Sequence, residues 1–201
     1  MTDNSHNTHP DPYHDMYSRT IFGFWLFLLT DFVLFGSFFA TFAVLAKSPY
    51  PSPKAIELFN LDYALVQSFL MLLCAFFSGL GGVAAHRKNK KSTIVFFVIT
   101  FFISLLFMTY EFLDFQRLLQ AGYSWSKTGL LSAFYTILAT HGVHVIFGMV
   151  WIIVLLIPLI KSDIRHETIR RLTCLRMFFQ FLNIVWIFIF SIVYFMGRGG
   201  I

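Results

Sequence analysis

The sequence predicts an all-α integral membrane protein, a five-transmembrane-helix bundle. Two observations carry this. The 201-residue chain is 57% hydrophobic and 12% charged, whereas a soluble domain of this size is about a quarter charged. Its apolar residues also gather into five runs, roughly 21–46, 62–85, 93–115, 129–158 and 175–197. Each run is long enough for a helix rising about 1.5 Å per residue to cross a hydrocarbon core of about 30 Å. The runs form one membrane domain over 21–197, preceded by a polar tail over 1–20.

The tail carries Asp3, Asp11, Asp15, Pro10 and Pro12 and has no basic start leading into a short apolar core. It therefore does not read as a cleavable signal peptide. His6, His9 and His14 read as a solvated terminus rather than a metal-binding tail. Cys74 and Cys174 are isolated, with no CxxC spacing, and read as small apolar fillers.

The first run holds Asp31 near the bilayer middle. A mid-span aspartate costs about 3 kcal/mol, against sixteen Leu, Ile, Phe and Val residues contributing up to about −0.3 to −0.6 each. Insertion wins, so Asp31 must face the protein interior or carry a proton. Pro49, Pro51 and Pro53 then mark an extended loop. The second run begins near Gln67 and ends in Ser78-Gly79-Leu80-Gly81-Gly82. No strand precedes these glycines, so a phosphate loop is the poorer reading. Ser78/Gly82 and Gly81/Ala85 lie four apart on one face, the spacing that lets helices approach closely.

His86-Arg87-Lys88-Asn89-Lys90-Lys91 follows as a tight basic loop. It reads as a topogenic cluster rather than a nucleic-acid patch, and no nucleic-acid partner is expected. With the N-terminus cytoplasmic, the inner segments hold Arg19, Arg87, Lys88, Lys90, Lys91, Lys161, Arg165, Arg170, Arg171 and Arg176. The outer ones hold only Lys47, Lys54, Arg117, Lys127 and Arg198. That two-to-one excess places the N-terminus in the cytoplasm and the C-terminus in the periplasm, and topology alone accounts for the net charge of +5.

The third run ends at Tyr110-Glu111-Phe112-Leu113-Asp114. Glu111 and Asp114 share a face near the outer boundary and read as a hydrated helix end. Tyr123 and Trp125 suit the aromatic interface belt. The fourth run places His141 and His144 in Thr140-His141-Gly142-Val143-His144-Val145, at a depth matching Asp31. The fifth brings Gln180 and Asn183, three apart. Runs one, four and five are thus expected to turn polar groups to a shared interior, with neutral imidazoles bonded to Asp31, Gln180 or Asn183.

A redox site is the alternative for the two histidines. A low-spin haem takes axial ligands on opposite faces of its ring, yet His141 and His144 lie on roughly one face of one helix. The other histidines beyond the tail are His86, at a helix end, and His166, in an inner loop. Met108 or Met149 leaves Met/His ligation formally open. A zinc or copper site needs more donors than two histidines and Asp31 supply. No nucleophile–base pair is apparent, and five unbroken spans divide badly into transporter repeats. On the residues alone, no catalytic, metal or cofactor-binding set is expected.

Several of these stretches occur together, in order, in a known family. Thr140–Val145 resembles the HGxHV signature of subunit III of the haem-copper respiratory oxidases, and Tyr110-Glu111-Phe112 its glutamate-plus-aromatic motif one helix earlier. Gln180-Phe181-Leu182-Asn183-Ile184-Val185-Trp186 is similar to its HFVDVVW stretch. Phe22-Gly23-Phe24-Trp25 through Asp31 and Phe42 resembles the helix carrying its buried carboxylate, and Ala85-His86 the end of the next helix. The resemblance spans residues 20 to 197 and is nearest the five-helix form in bo-type ubiquinol oxidases. Asp31 stands where many relatives have Glu, Gln180 for His, Asn183 for Asp, and Gln67 near an expected carboxylate. Those neutral replacements favour a structural role for the polar stripe.

The resemblance implies a non-catalytic subunit of a proton-pumping quinol:O2 oxidoreductase in the bacterial inner membrane. It would hold no haem, copper or quinone and would bind phospholipid. Beside oxidase subunits I, II and IV, it would sustain the stability and proton uptake of the haem- and copper-bearing catalytic chain. The same motifs would suit a cytochrome c oxidase or the related subunit of a nitric oxide reductase; a small membrane redox protein is the competing class.

Overall fold

The computed structural model describes residues 12–46, 61–161 and 165–195, with side chains for 16–46, 63–161 and 165–193. The Pro49–Pro53 loop, His6 and His9, the His14 side chain, and Lys47, Lys54 and Arg198 of the charge count lie outside them.

Five helices long and apolar enough to cross a bilayer make up the described chain: α1 (Pro12–Ala46), α2 (Leu61–His86), α3 (Lys90–Gln120), α4 (Gly129–Lys161) and α5 (His166–Ile189). α5 continues as a π-helical turn, Phe190–Phe195. There is no strand among the described residues. The helices outrun the apolar runs that reveal them, because an apolar run measures lipid contact while a helix ends where its backbone is capped. α1 begins at Pro12, inside the expected tail. α5 starts at His166, a residue expected in a loop, with Glu167 in its first turn, where a carboxylate suits the helix dipole.

The caps explain the connections. Asn89 accepts from the Ser92 N–H at the start of α3, after a turn in which Lys88 takes φ 55°. At the other end Gly122 takes φ 85°, and its N–H and that of Tyr123 donate to the Leu119 and Leu118 carbonyls. This is the Schellman closure that favours glycine. Thr128 Oγ1 then accepts from the Leu131 N–H to open α4.

α2 and α5 form the centre of the bundle, with about half of their most apolar stretch buried, and α1 its edge, with 17%. α2 packs on α3 and α5, α4 on α3 and α5, and α1 on α4 and α5. Large apolar side chains such as Trp25, Phe69, Phe102 and Val143 face outward, as expected where lipid is the solvent.

The small-residue run at the end of α2 does what its spacing suggests. A Cβ on Gly81 would lie 2.9 Å from the Phe97 ring and one on Gly82 2.6 Å from Arg176 Cδ, while Gly79 faces open space. Phe97 is fully buried on α3 and cannot yield as the long Arg176 chain can. Gly81→Ala is therefore expected to destabilise the bundle by about 1–3 kcal/mol through overpacking, and Gly79→Ala by none. Detergent-unfolding midpoints of the two variants make the comparison; equal midpoints would refute the close α2–α3 approach at Gly81.

Candidate functional site

The two histidines belong to two separate constellations rather than one stripe. The first joins α1 to α4. His144 Nδ1 lies 2.7 Å from the Thr140 main-chain oxygen one turn earlier. A carbonyl only accepts, so Nδ1 carries a hydrogen and Nε2 is left to face Asp31, with Oδ2 at 3.7 Å. At 3.7 Å this is a polar contact longer than a hydrogen bond, and it turns the Asp31 carboxyl towards α4 rather than towards lipid. Phe35 of α1 and Phe178 of α5 flank the imidazole, with ring centroids at 5.4 and 6.4 Å. Matched depth in the sequence points Asp31 to His141 or His144, and the structure selects His144.

The second constellation lies where α2, α3, α4 and α5 meet. His141 is fully buried, and its Nε2–H donates to the Leu182 main-chain oxygen at 3.2 Å. Its ring packs against Phe107 at 5.7 Å and Trp186 at 5.3 Å. The Trp186 indole N–H donates to Ser68 Oγ at 2.9 Å, and Phe107 meets Trp186 edge-on at 5.0 Å. Ser68, Phe107, His141 and Trp186 thus tie four helices at one level. The two imidazoles have different neighbours, His141 the α3 and α5 rings and His144 the α1 carboxylate.

Glu111 and Asp114 contradict the hydrated helix end. They are 2% and 3% exposed, because α3 runs on to Gln120 and buries them a turn or more before its end. Asp114 meets Arg117 at 3.6 Å, and that guanidinium lies 5.7 Å over the Tyr63 ring. Glu111 lies against α4 at Gly142, where a Cβ would come within 3.2 Å of both carboxylate oxygens. Glycine is what admits the carboxyl there. Gln67 is fully buried on α2.

Gln180 and Asn183 are not partners of the imidazoles. Both histidines bond to main-chain carbonyls instead. Gln180 is exposed and Asn183 half-buried; Gln180 lines an outward groove with Trp25, Leu28, Phe32 and Phe181. A helix apolar on every face gives no sequence signal for which side points inward. Several roles were not foreseen: Trp186 with Ser68, Gly142 beneath Glu111, and the Tyr135 hydroxyl donating to the Tyr123 main-chain oxygen. Trp125 stays exposed beside Tyr135. His86 Nε2 lies 3.5 Å from Thr173 Oγ1. Both cysteines are buried free thiols, and Met108 and Met149 pack against the core. Among the described residues, no three His, Cys, Asp or Glu side chains gather as a metal would require.

The profile of the cytochrome c oxidase subunit III family matches residues 8–198. The chain belongs to the cytochrome c oxidase subunit III family. It is 37% identical over 187 residues to the cytochrome bo(3) ubiquinol oxidase subunit 3 of Pseudomonas aeruginosa, covering 93% of this chain and 90% of that one. It is 35% identical to the quinol oxidase subunit 3 of Bacillus spizizenii, covering 90% and 89%. A cytochrome c oxidase subunit 3 of Alkalihalophilus pseudofirmus is 35% identical, covering 89% and 87%. In subunit III terms, Asp31–His144 ties the first helix of this five-helix member to its fourth, and the His141–Trp186 layer closes the middle of the bundle.

Proposed function

We propose that this protein is a non-catalytic subunit of a quinol-oxidising, proton-pumping haem-copper oxidase in the bacterial inner membrane. Its N-terminus is cytoplasmic and its C-terminus periplasmic. The observation that carries this is the end-to-end 37% identity with a ubiquinol oxidase subunit 3. The interior supports it: each imidazole has one nitrogen committed to a main-chain carbonyl, and Asp31 faces a histidine rather than an open cavity. Such groups hold helices in place. Haem, copper and quinone chemistry then belongs to companion subunits, and this chain sustains the stability and proton uptake of the catalytic one.

Affinity purification of the tagged chain in mild detergent tests the reading. A haem- and copper-bearing polypeptide should co-purify, and the complex should oxidise quinol. The isolated chain should show no stoichiometric haem band; such a band, or quinol oxidation by the chain alone, would overturn the proposal.

Phospholipid is the expected small partner. A cleft of about 420 Å³ between α1, α4 and α5 is lined by Phe24, Phe27, Trp151, Arg170 and Arg171. Two guanidinium groups beside aromatic walls suit an anionic headgroup with its chains running into the bilayer. Arg170→Gln/Arg171→Gln is expected to lower retained anionic phospholipid several-fold, measured by mass spectrometry of the purified complex. Unchanged lipid would remove the cleft from consideration.

A further inference from the structure

Cys74 Sγ of α2 lies 3.4 Å from Ser104 Oγ of α3, which fixes the register of this antiparallel pair. Seven residues back along α2 and seven forward along α3 return each helix to the same face. Gln67 is thereby set opposite Glu111. The two helices stay in contact at that end of the pair, where Tyr63 meets Tyr110 with ring centroids at 6.3 Å and the Arg117 guanidinium lies 5.7 Å over the Tyr63 ring.

Both side chains are sealed from the surroundings, at 0% and 2% exposure. Gly142 of α4 lies beside the carboxyl group, where an added Cβ would stand 3.2 Å from both of its oxygens. Yet neither the amide nitrogen and oxygen of Gln67 nor either oxygen of Glu111 has a hydrogen-bond partner among the described residues. The amide and the carboxyl thus do not bond to each other. Groups of this polarity are almost always satisfied when buried. Within a bilayer, where lipid offers nothing in exchange, the demand is stronger.

The chemistry of the four atoms selects the occupant. The amide provides two hydrogens and one acceptor, and the carboxyl mostly acceptors, so the missing partner must donate and accept at once. Water does both and needs two to four polar neighbours. A calcium-like cation would want six to eight oxygen ligands, and these two side chains offer at most three.

We propose that Gln67 and Glu111 form the two walls of an internal water site, in which one or two water molecules bridge the amide to the carboxyl. The site gives Glu111 a solvent partner inside the bundle, so its carboxyl stays hydrated and its proton exchangeable although the helix around it is lipid-clad. Nothing in this rests on the companion subunits or the electron donor.

Two measurements on the complete complex, purified in mild detergent, test the site. A map at a resolution that shows ordered water should place density within about 3 Å of both Gln67 and Glu111. Infrared difference spectra between ordinary and 18O-labelled water should show isotope-sensitive bands of internal water, weakened by Gln67→Leu and kept by Gln67→Glu. A direct amide–carboxyl hydrogen bond, density with metal-like coordination, or an empty gap would overturn the proposal, as would spectra identical in wild type and Gln67→Leu. The wild-type map decides even if no variant assembles.

Discussion

Replacing His144 with leucine is expected to destabilise the bundle more than replacing His144 and Asp31 together. The single variant leaves a carboxyl at the middle of α1 with no partner but lipid, at a cost of about 3 kcal/mol, or roughly a hundredfold in the folded-to-unfolded ratio. Asp31→Leu/His144→Leu removes the stranded acid as well. Replacing both members of a buried polar pair with apolar groups of similar size is often close to neutral. Stepwise denaturation in mixed detergent micelles, followed by helicity, gives the two midpoints. If the double variant is weaker than the single one, the 3.7 Å contact does not hold α1 in place. Because α1 is the least buried helix, the loss should show as protease sensitivity of α1 before the other helices yield.

Trp186→Ala should produce a loss of similar or greater size, about 3–5 kcal/mol. The indole is 1% exposed, contacts Phe107 and His141 and donates to Ser68. In a membrane the apolar drive between helices is weak, so contact dispersion and interhelical hydrogen bonds carry the packing, and Trp186 contributes both. Trp186→Phe keeps most of the ring contact and removes only the donor, for about 1 kcal/mol. Midpoints that fail to separate the two variants would show that this layer does not hold the four helices together.

The five spans were legible because lipid leaves its mark on composition: a run as long as 21–46, with Asp31 its single charged residue, has no other common use. A contact from Asp31 to His141 or His144 was legible too, since polar groups at equal depth have strong reason to meet; that it is His144 was not. Glu111 was misread because it sits where the apolar run fades, and a fading run looks like a helix end. Only the Gly122 closure, well downstream, shows that the helix continues. Gln180 was misread for the opposite reason. On a helix apolar all round there is no contrast to orient it, and its outward position follows from packing with α1 and α2. The carbonyl partners of His141 and His144 carry no sequence signal at all, since every residue has a carbonyl.

The tie between Asp31 and His144 also has a consequence in time. The ribosome makes α1 first and must add 98 further residues, from Ala46 to His144, before the imidazole exists; at about 5–20 residues per second this takes on the order of ten seconds. Throughout that interval a newborn α1 rests in the membrane with its acid unanswered. The first helix to arrive thus waits for the fourth before its acid is answered, and any factor that shelters nascent membrane segments has most to do at this one.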